Sequence, residues 1–281
     1  MEYRELYNGV KIPMLGFGVY QIPEYENAKK AVLAALKTSY RLIDTAQGYM
    51  NEEAVGAAIK ESGIPREEIF ITTKLWIQDF SYDGAIKAAN LSMERLGVEY
   101  IDLLLLHQPM GDYINAWKGL EKLYKDDKLK AIGMANCYPH VLVDLCETFE
   151  IKPMINQVEM HPFFQQQLNI DTMKEYDVIP EAWAPFDEGL RDFFNNPTLT
   201  EIGKKYGKSA AQVALRWNIQ RGVVVIPKTV HADRMAQNID VFDFSLSDED
   251  MEQIKLLDIG HSEIVNHFDP QWIKSLHTWR F

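Results

Sequence analysis

Seven short apolar runs in this sequence finish on a polar or aromatic residue. They end at Asp44-Thr45-Ala46, Lys74, His107, Asn136, Gln157, Trp183 and Lys228. A carboxylate, an ammonium and an imidazole at the ends of neighbouring strands converge on one mouth. Uncompensated charge is expensive where strands leave a core, so such groups are paired or functional. Several chemistries are excluded by pattern. No G-x-S-x-G elbow supports a serine nucleophile, and no H-E-x-x-H supports a zinc protease. His140 and His161 do not form a metal-ligand set with His107 by spacing. The Walker pattern is absent, and Gly16-x-Gly18 is followed by Gln21 where the dinucleotide fingerprint needs a third Gly or Ala. Asp44 and Glu159 leave open a two-carboxylate hydrolase or isomerase. Ile226-Pro227-Lys228-Thr229 leads into a helix with Thr229 as its expected N-cap, a geometry suited to phosphate. On that helix Arg234, Gln237 and Asn238 stand at i, i+3 and i+4, so one face offers a cation and two amides to a phosphate and an adenine edge.

The runs that carry these ends are Leu15–Val19, Tyr40–Thr45, Ile69–Lys74, Ile101–His107, Lys130–Ala135, Met154–Glu159, Val178–Pro185 and Val223–Lys228. Most are nearly all apolar, as strands covered on both faces must be. Helical stripes separate them, including Ala28/Ala31/Val32/Ala35/Leu36, Ile86/Ala89/Leu91/Met93/Leu96 and Ala211/Val213/Ala214/Trp217. Eight such strands alternating with helices predict a parallel α/β protein, and the length suits a (β/α)8 barrel of roughly 250 residues. An open doubly wound sheet gives the same periodicity. Ahead of the first barrel strand, Tyr3–Tyr7 and Val10–Ile12 flank Asn8-Gly9, which predicts a β-hairpin lying over the N-terminal end of the barrel.

The 281 residues carry 29 basic and 41 acidic side chains, a formal net charge of −12. That excess disfavours nucleic acid or an anionic membrane as partner. Cys137 and Cys146 are too few for a disulfide framework, no signal peptide is read, and no apolar run approaches membrane-spanning length. The expectation is a cytoplasmic protein acting on a small molecule.

Leu42-Ile43-Asp44-Thr45-Ala46-Gln47-Gly48-Tyr49-Met50-Asn51-Glu52 resembles the hallmark segment of the aldo-keto reductases. Thr72–Trp76, Leu104–His107, Asn156–Glu159 and Ile226–Thr229 resemble four further motifs of that family, in its order, and the likeness runs from about Gly9 to about Asp258. Within them His107-Gln108-Pro109 and Glu181-Ala182-Trp183-Ala184-Pro185-Phe186 are most similar to bacterial reductases of the 2,5-diketo-D-gluconate reductase kind. The resemblance implies a monomeric barrel, one domain over 1–281, that uses NADPH to reduce aldehydes, ketones or dicarbonyls. It implies Tyr49 as the acid, with Lys74, Asp44 and His107 completing a tetrad. An isolated phenol has a pKa of about 10, so Lys74 is expected to lower that of Tyr49. It further implies Asn136 and Gln157 at the nicotinamide carboxamide, Trp183 stacked on its ring, and Lys228, Thr229 and Arg234 at the 2′-phosphate. Gln237 and Asn238 fall on the adenine side, and Ala135 and Ala184 stand where relatives commonly carry Ser. Tyr20, Trp76 and His107, with Tyr113, are the expected substrate walls; the segment around Trp272, His277 and Trp279 forms a specificity loop in relatives and reads here equally as a pocket wall or a surface tail. A nucleotide-sensing module without catalysis on the same fold is the rival reading; an intact tetrad argues against it.

Overall fold

The computed structural model describes residues 1–281. Strands β1 (Tyr3–Glu5) and β2 (Lys11–Pro13) form an antiparallel hairpin with Tyr3 opposite Pro13. Eight parallel strands follow: β3 (Phe17–Gly18), β4 (Leu42–Asp44), β5 (Phe70–Leu75), β6 (Ile101–Leu106), β7 (Leu129–Ala135), β8 (Ile155–Glu159), β9 (Ile179–Trp183) and β10 (Val224–Val225). Each pairs with the next in sequence. The ring closes where Leu15 bridges Val225, with Gly16 N–H donating to the Val225 carbonyl at 2.8 Å and Val225 N–H to that of Met14 at 3.0 Å. That closure decides for the barrel over the open sheet. It also explains the two glycines that fail as a dinucleotide fingerprint. A Cβ on Gly16 would lie 2.4 Å from Leu42 Cγ on β4, and one on Gly18 3.0 Å from the Ile226 carbonyl oxygen beyond β10, so they let the first barrel strand fit between its two neighbours.

The last run pairs over less than the expected Val223–Lys228, because Pro227 has no N–H to extend the ladder. The hairpin turn is also wider than predicted. Leu6 leaves the strand and is buried, and Gly9 takes φ +86° in the turn. Tyr7 Oη donates to the Lys152 carbonyl at 2.7 Å and Asn8 Nδ2 to that of Lys130 at 2.9 Å, which fixes the hairpin over the strand starts as expected.

Helices on the outside bury the predicted stripes. In Tyr25–Lys37 the stripe Ala28, Ala31, Val32, Ala35 and Leu36 faces the barrel. In Tyr82–Leu96 the buried face is Ala85, Ala88, Ala89, Met93 and Leu96, whereas Leu91 turns outward, a departure from the predicted stripe. A separate small core of Phe163, Phe193, Leu199, Ile202, Val213, Ala214, Trp217, Leu246 and Ile254 sits beside the barrel. It anchors the segment Asp187–Asn195 that follows β9, in which Asp187, Glu188, Arg191 and Asp192 all hold positive φ. No helix is long and apolar enough to cross a membrane.

Candidate active site

The register of the barrel brings the polar strand ends together. Asp44 is paired with Thr72 across β4 and β5, which places Lys74 further along β5, toward the mouth. From there Lys74 Nζ donates to Asp44 Oδ1 at 2.5 Å and to the Thr45 carbonyl at 3.0 Å, and stands 3.4 Å from Tyr49 Oη. Lys74 is fully buried, so its charge depends on Asp44. Tyr49 lies on the short helical turn Gln47–Tyr49, which stops at Met50 in the left-handed region. Two side chains lock that turn. Asn51 donates to the Val19 and Ile22 carbonyls, both at 3.0 Å, and accepts from Thr45 Oγ1 at 2.7 Å. Gln47 accepts from Trp76 N–H at 2.9 Å and donates to Asp79 at 2.6 Å. His107 begins the loop after β6, its ring edge-on to Tyr49 at 5.7 Å and to Trp76 at 5.2 Å.

Burial dominates the proton affinities of this cluster. It drives the His107 pKa far below the ordinary histidine value, helped by the Lys74 ammonium, so the imidazole is neutral and presents a single N–H. Burial also pushes the Tyr49 phenol up to about 12; Lys74 pulls the other way, as expected, and is outweighed. The predicted lowering of Tyr49 is therefore not realised in this state, because a phenolate removed from water loses more than one ammonium restores. For Lys74, burial acts downward, but Asp44 and Tyr49 reverse it and leave the ammonium held charged.

These residues sit at the floor of a cleft of about 580 Å³, lined also by Asn136, Gln157, Trp183, Tyr20, Trp76 and Lys228. Asn136 donates to the His107 carbonyl at 3.0 Å and accepts from Trp183 Nε1 at 2.9 Å, which leaves one N–H and one lone pair on its amide. Gln157 Nε2 donates to Asp44 at 2.8 Å and to Glu181 at 3.1 Å, leaving its carbonyl oxygen unengaged. Lys228 is exposed and unpaired. Arg234, Gln237 and Asn238 stand outside the cleft lining, on helix Ala232–Ile239. Arg234 and Gln237 are exposed while Asn238 is 4% exposed, so the three do not share one solvated face. Thr229 is not the N-cap of that helix. His231 occupies that position, and Thr229 is buried with its Oγ1 accepting from His231 N–H at 3.2 Å. The chain bends at Val230 and is extended at His231 before the helix starts.

At the other end of the cleft, Trp279 stacks on Trp76 at 5.5 Å and 13°, and Phe281 packs edge-on against Trp76 at 5.4 Å. Gln78 grips the Phe281 backbone through both its amide atoms, each at 2.9 Å. Trp272 lines the cleft; Tyr113 and His277 do not. Phe281 is not legible as a wall from sequence, since nothing local marks a terminal aromatic. A buried group of Glu159, His161 and Asp187 is likewise new in the structure. His161 Nε2 stands 3.0 Å from Glu159 and 3.3 Å from Asp187, and Ser262 Oγ donates to Glu159 at 2.6 Å. The i, i+2 spacing of Glu159 and His161 is the one signal of it that the sequence carries. Glu159 is thus committed to this group and lies outside the cleft lining, so the pairing with Asp44 that a hydrolase requires is not formed.

Sequence and shape agree on kinship. Residues 14–259 match the model of the Aldo/keto reductase family. The chain belongs to that family. It is 48% identical over 254 residues to glyoxal reductase of Bacillus subtilis, covering 90% of this chain and 91% of the relative. It is 45% identical over 251 residues to 9,11-endoperoxide prostaglandin H2 reductase of Trypanosoma cruzi, covering 89% of each. An aldo-keto reductase of Bombyx mori, solved in complex with NADP, superposes with a TM-score of 0.90 at 31% identity, over 95% of each chain. This aldo-keto reductase is an oxidoreductase of carbonyl compounds built on a closed (β/α)8 barrel.

Proposed function

We propose that this aldo-keto reductase is an NADPH-dependent reductase of aldehydes, ketones or dicarbonyls in which Tyr49 gives the proton. The observation that carries the assignment is the buried Lys74 ammonium, 2.5 Å from Asp44 and 3.4 Å from Tyr49 Oη. The cleft fits the cofactor. Lys228 opens on it as an unpaired cation, with Arg234 and Gln237 also unpaired on the helix beyond, and Asn136 and Gln157 keep unspent amide valences at the floor. NADPH, when bound, supplies the hydride to the carbonyl carbon. Asn136 and Gln157 would hold its carboxamide, Trp183 would cover its ring, and Lys228, Thr229 and Arg234 would receive the 2′-phosphate, with Gln237 and Asn238 on the adenine side.

The chain's own chemistry is a single proton transfer. The neutral His107 donates a hydrogen bond that orients the substrate oxygen and shares its growing negative charge. Tyr49 Oη passes its proton to that oxygen, and Lys74 stabilises the phenolate left behind. Asp44 keeps Lys74 charged and fixed. Tyr20, Trp76, Trp279 and Phe281 wall the substrate end and exclude water.

The His107-Gln108-Pro109 and Glu181–Phe186 wording supports a place among bacterial reductases similar to 2,5-diketo-D-gluconate reductase. One barrel domain, working as a cytoplasmic monomer, completes the reading. Titration of intrinsic fluorescence with NADPH and NADH tests it. Strong quenching by NADPH at much lower concentration than NADH is expected, through Trp183. Binding of neither nucleotide would overturn the assignment, and comparable turnover by Tyr49→Phe would remove Tyr49 as the acid.

A further inference from the structure

Glu181 has no part in the steps above, yet it is buried against them. It lies on β9, in register with Gln157 on β8, and is fully enclosed by the barrel. Gln157 Nε2 gives one hydrogen bond to Asp44 Oδ2 at 2.8 Å and another to Glu181 Oε2 at 3.1 Å. One neutral amide thus separates two carboxyls, and Glu181 Oε1 has no partner at all. The charged groups acting on Glu181 are Asp44 from β4 and Lys74 from β5; β10, which pairs with Glu181 through Val224, brings none. With both carboxyls ionised, the enclosed set of Asp44, Glu181 and Lys74 would carry a net negative charge beside a phenol that must become phenolate. With Glu181 neutral the charges cancel.

We propose that Glu181 is a positioning residue that works in its protonated form, holding Gln157 against Asp44 and keeping the proton-transfer cluster electrically neutral. Its ionisation then sets the alkaline limit of carbonyl reduction. Burial, reinforced by the neighbouring Asp44 carboxylate, moves the Glu181 carboxyl up to about 8, in keeping with this role. The sign follows from charge. Above that pH a second anion acts on Lys74 and draws on the charge that stabilises the Tyr49 phenolate, so the phenolate becomes harder to form and reduction slows. The catalytic part of the proposal rests on Tyr49 being the acid; the protonation of Glu181 does not.

Two measurements separate those parts. Infrared titration of the unliganded protein, with glutamate labelled by ¹³C to set Glu apart from Asp, reads the carboxyl itself. A protonated glutamic acid band is expected at pH 7, fading through pH about 8, and missing in Glu181→Gln. The pH profile of kcat/KM for carbonyl reduction reads the consequence. The parent is expected to lose about tenfold per pH unit above its alkaline pKa, and Glu181→Gln, neutral at every pH, to carry activity further into the alkaline range. Absence of the band in the parent at pH 7 overturns the protonated state, and that result needs neither a folded variant nor turnover. An alkaline limb that stays in place in Glu181→Gln overturns the catalytic role. If no carbonyl is reduced at all, the proton-donor assignment of Tyr49 fails while the infrared result still stands on its own.

Discussion

Lys74 and Lys228 both stand toward the mouth ends of barrel strands, but they are kept in opposite conditions, Lys74 enclosed behind Asp44 and Tyr49 and Lys228 on the cleft lining. Lys74 is sealed from water, with Asp44 and the Thr45 carbonyl as partners and Tyr49 Oη within reach. Lys228, like Arg234 on the next helix, is exposed and touches no counter-charge. Under the proposed function the difference separates two uses of a cation. A charge that must sit at a fixed point while a proton moves is paired in advance, because a buried ammonium without its carboxylate is untenable. A charge that captures an arriving phosphate is left hydrated, where waiting costs little and the pairing energy is released on binding.

Breaking the sealed side should have the largest effect. Lys74→Met leaves Asp44 enclosed without its cation, and urea unfolding is expected to show a loss of about 3–5 kcal/mol alongside loss of turnover. Tyr49→Phe removes only a hydroxyl from the same cluster. It should lower kcat by roughly 10²–10⁴-fold with nucleotide quenching intact, which separates chemistry from binding. On the hydrated side, Lys228→Ala or Arg234→Ala should weaken NADPH binding by about 1.5–3 kcal/mol, the usual worth of a hydrogen bond to a charged group. NADH affinity should stay as it was, and the melting temperature should hardly move. If melting falls as far as in Lys74→Met, the contrast between the two cations fails.

The smallest expected effect is a pH slope in stability. His107 is held neutral by burial and His267 is lowered to about 4 for the same reason. Both bind protons more weakly folded than unfolded, so the contribution of these two imidazoles is whole above pH about 6.5 and is lost as pH falls toward about 4, opposite in sign to that of the raised Glu181 carboxyl. Melting temperatures read across that window should fall toward acid, with a shallower slope in His267→Gln.

The sequence makes much of this legible because a closed parallel barrel writes each strand as an apolar run, and the residue that interrupts the run marks the mouth. Asp44, Lys74, His107, Asn136 and Gln157 stand out that way; the structure brings four of them to the lining of one cleft and holds Lys74 behind it, on Asp44 and Tyr49. What stays hidden depends on distances between strands. Glu181 sits inside the run Val178–Pro185, and only its register with Gln157 shows that it points into the barrel. Asp187 reads as a loop acid, yet it is 1% exposed beside His161. The Thr229 cap fails because the helix begins later, with His231 in extended backbone at its N-cap and Thr229 turned to accept from His231 N–H. The expected Tyr49 proton affinity fails for an energetic reason: the direction of the Lys74 effect is a matter of charge, but the depth of burial is a property of the finished fold.

The aromatic wall formed by Trp279 and Phe281 on Trp76 has a consequence for how this molecule changes over time. The reacting groups belong to β4, β5 and the ends next to them, where any alteration disturbs packing on every side. The wall is held from outside by one amide clamp at Gln78 and by ring contacts alone. Under the proposed function, substitutions at Trp279 and Phe281 are expected to redraw the outline of the acceptable carbonyl while the reacting groups stay in place, whereas Leu276 between them and Trp272 is fully buried and belongs to the core. Substrate choice and proton transfer are then open to change on different stretches of the same chain.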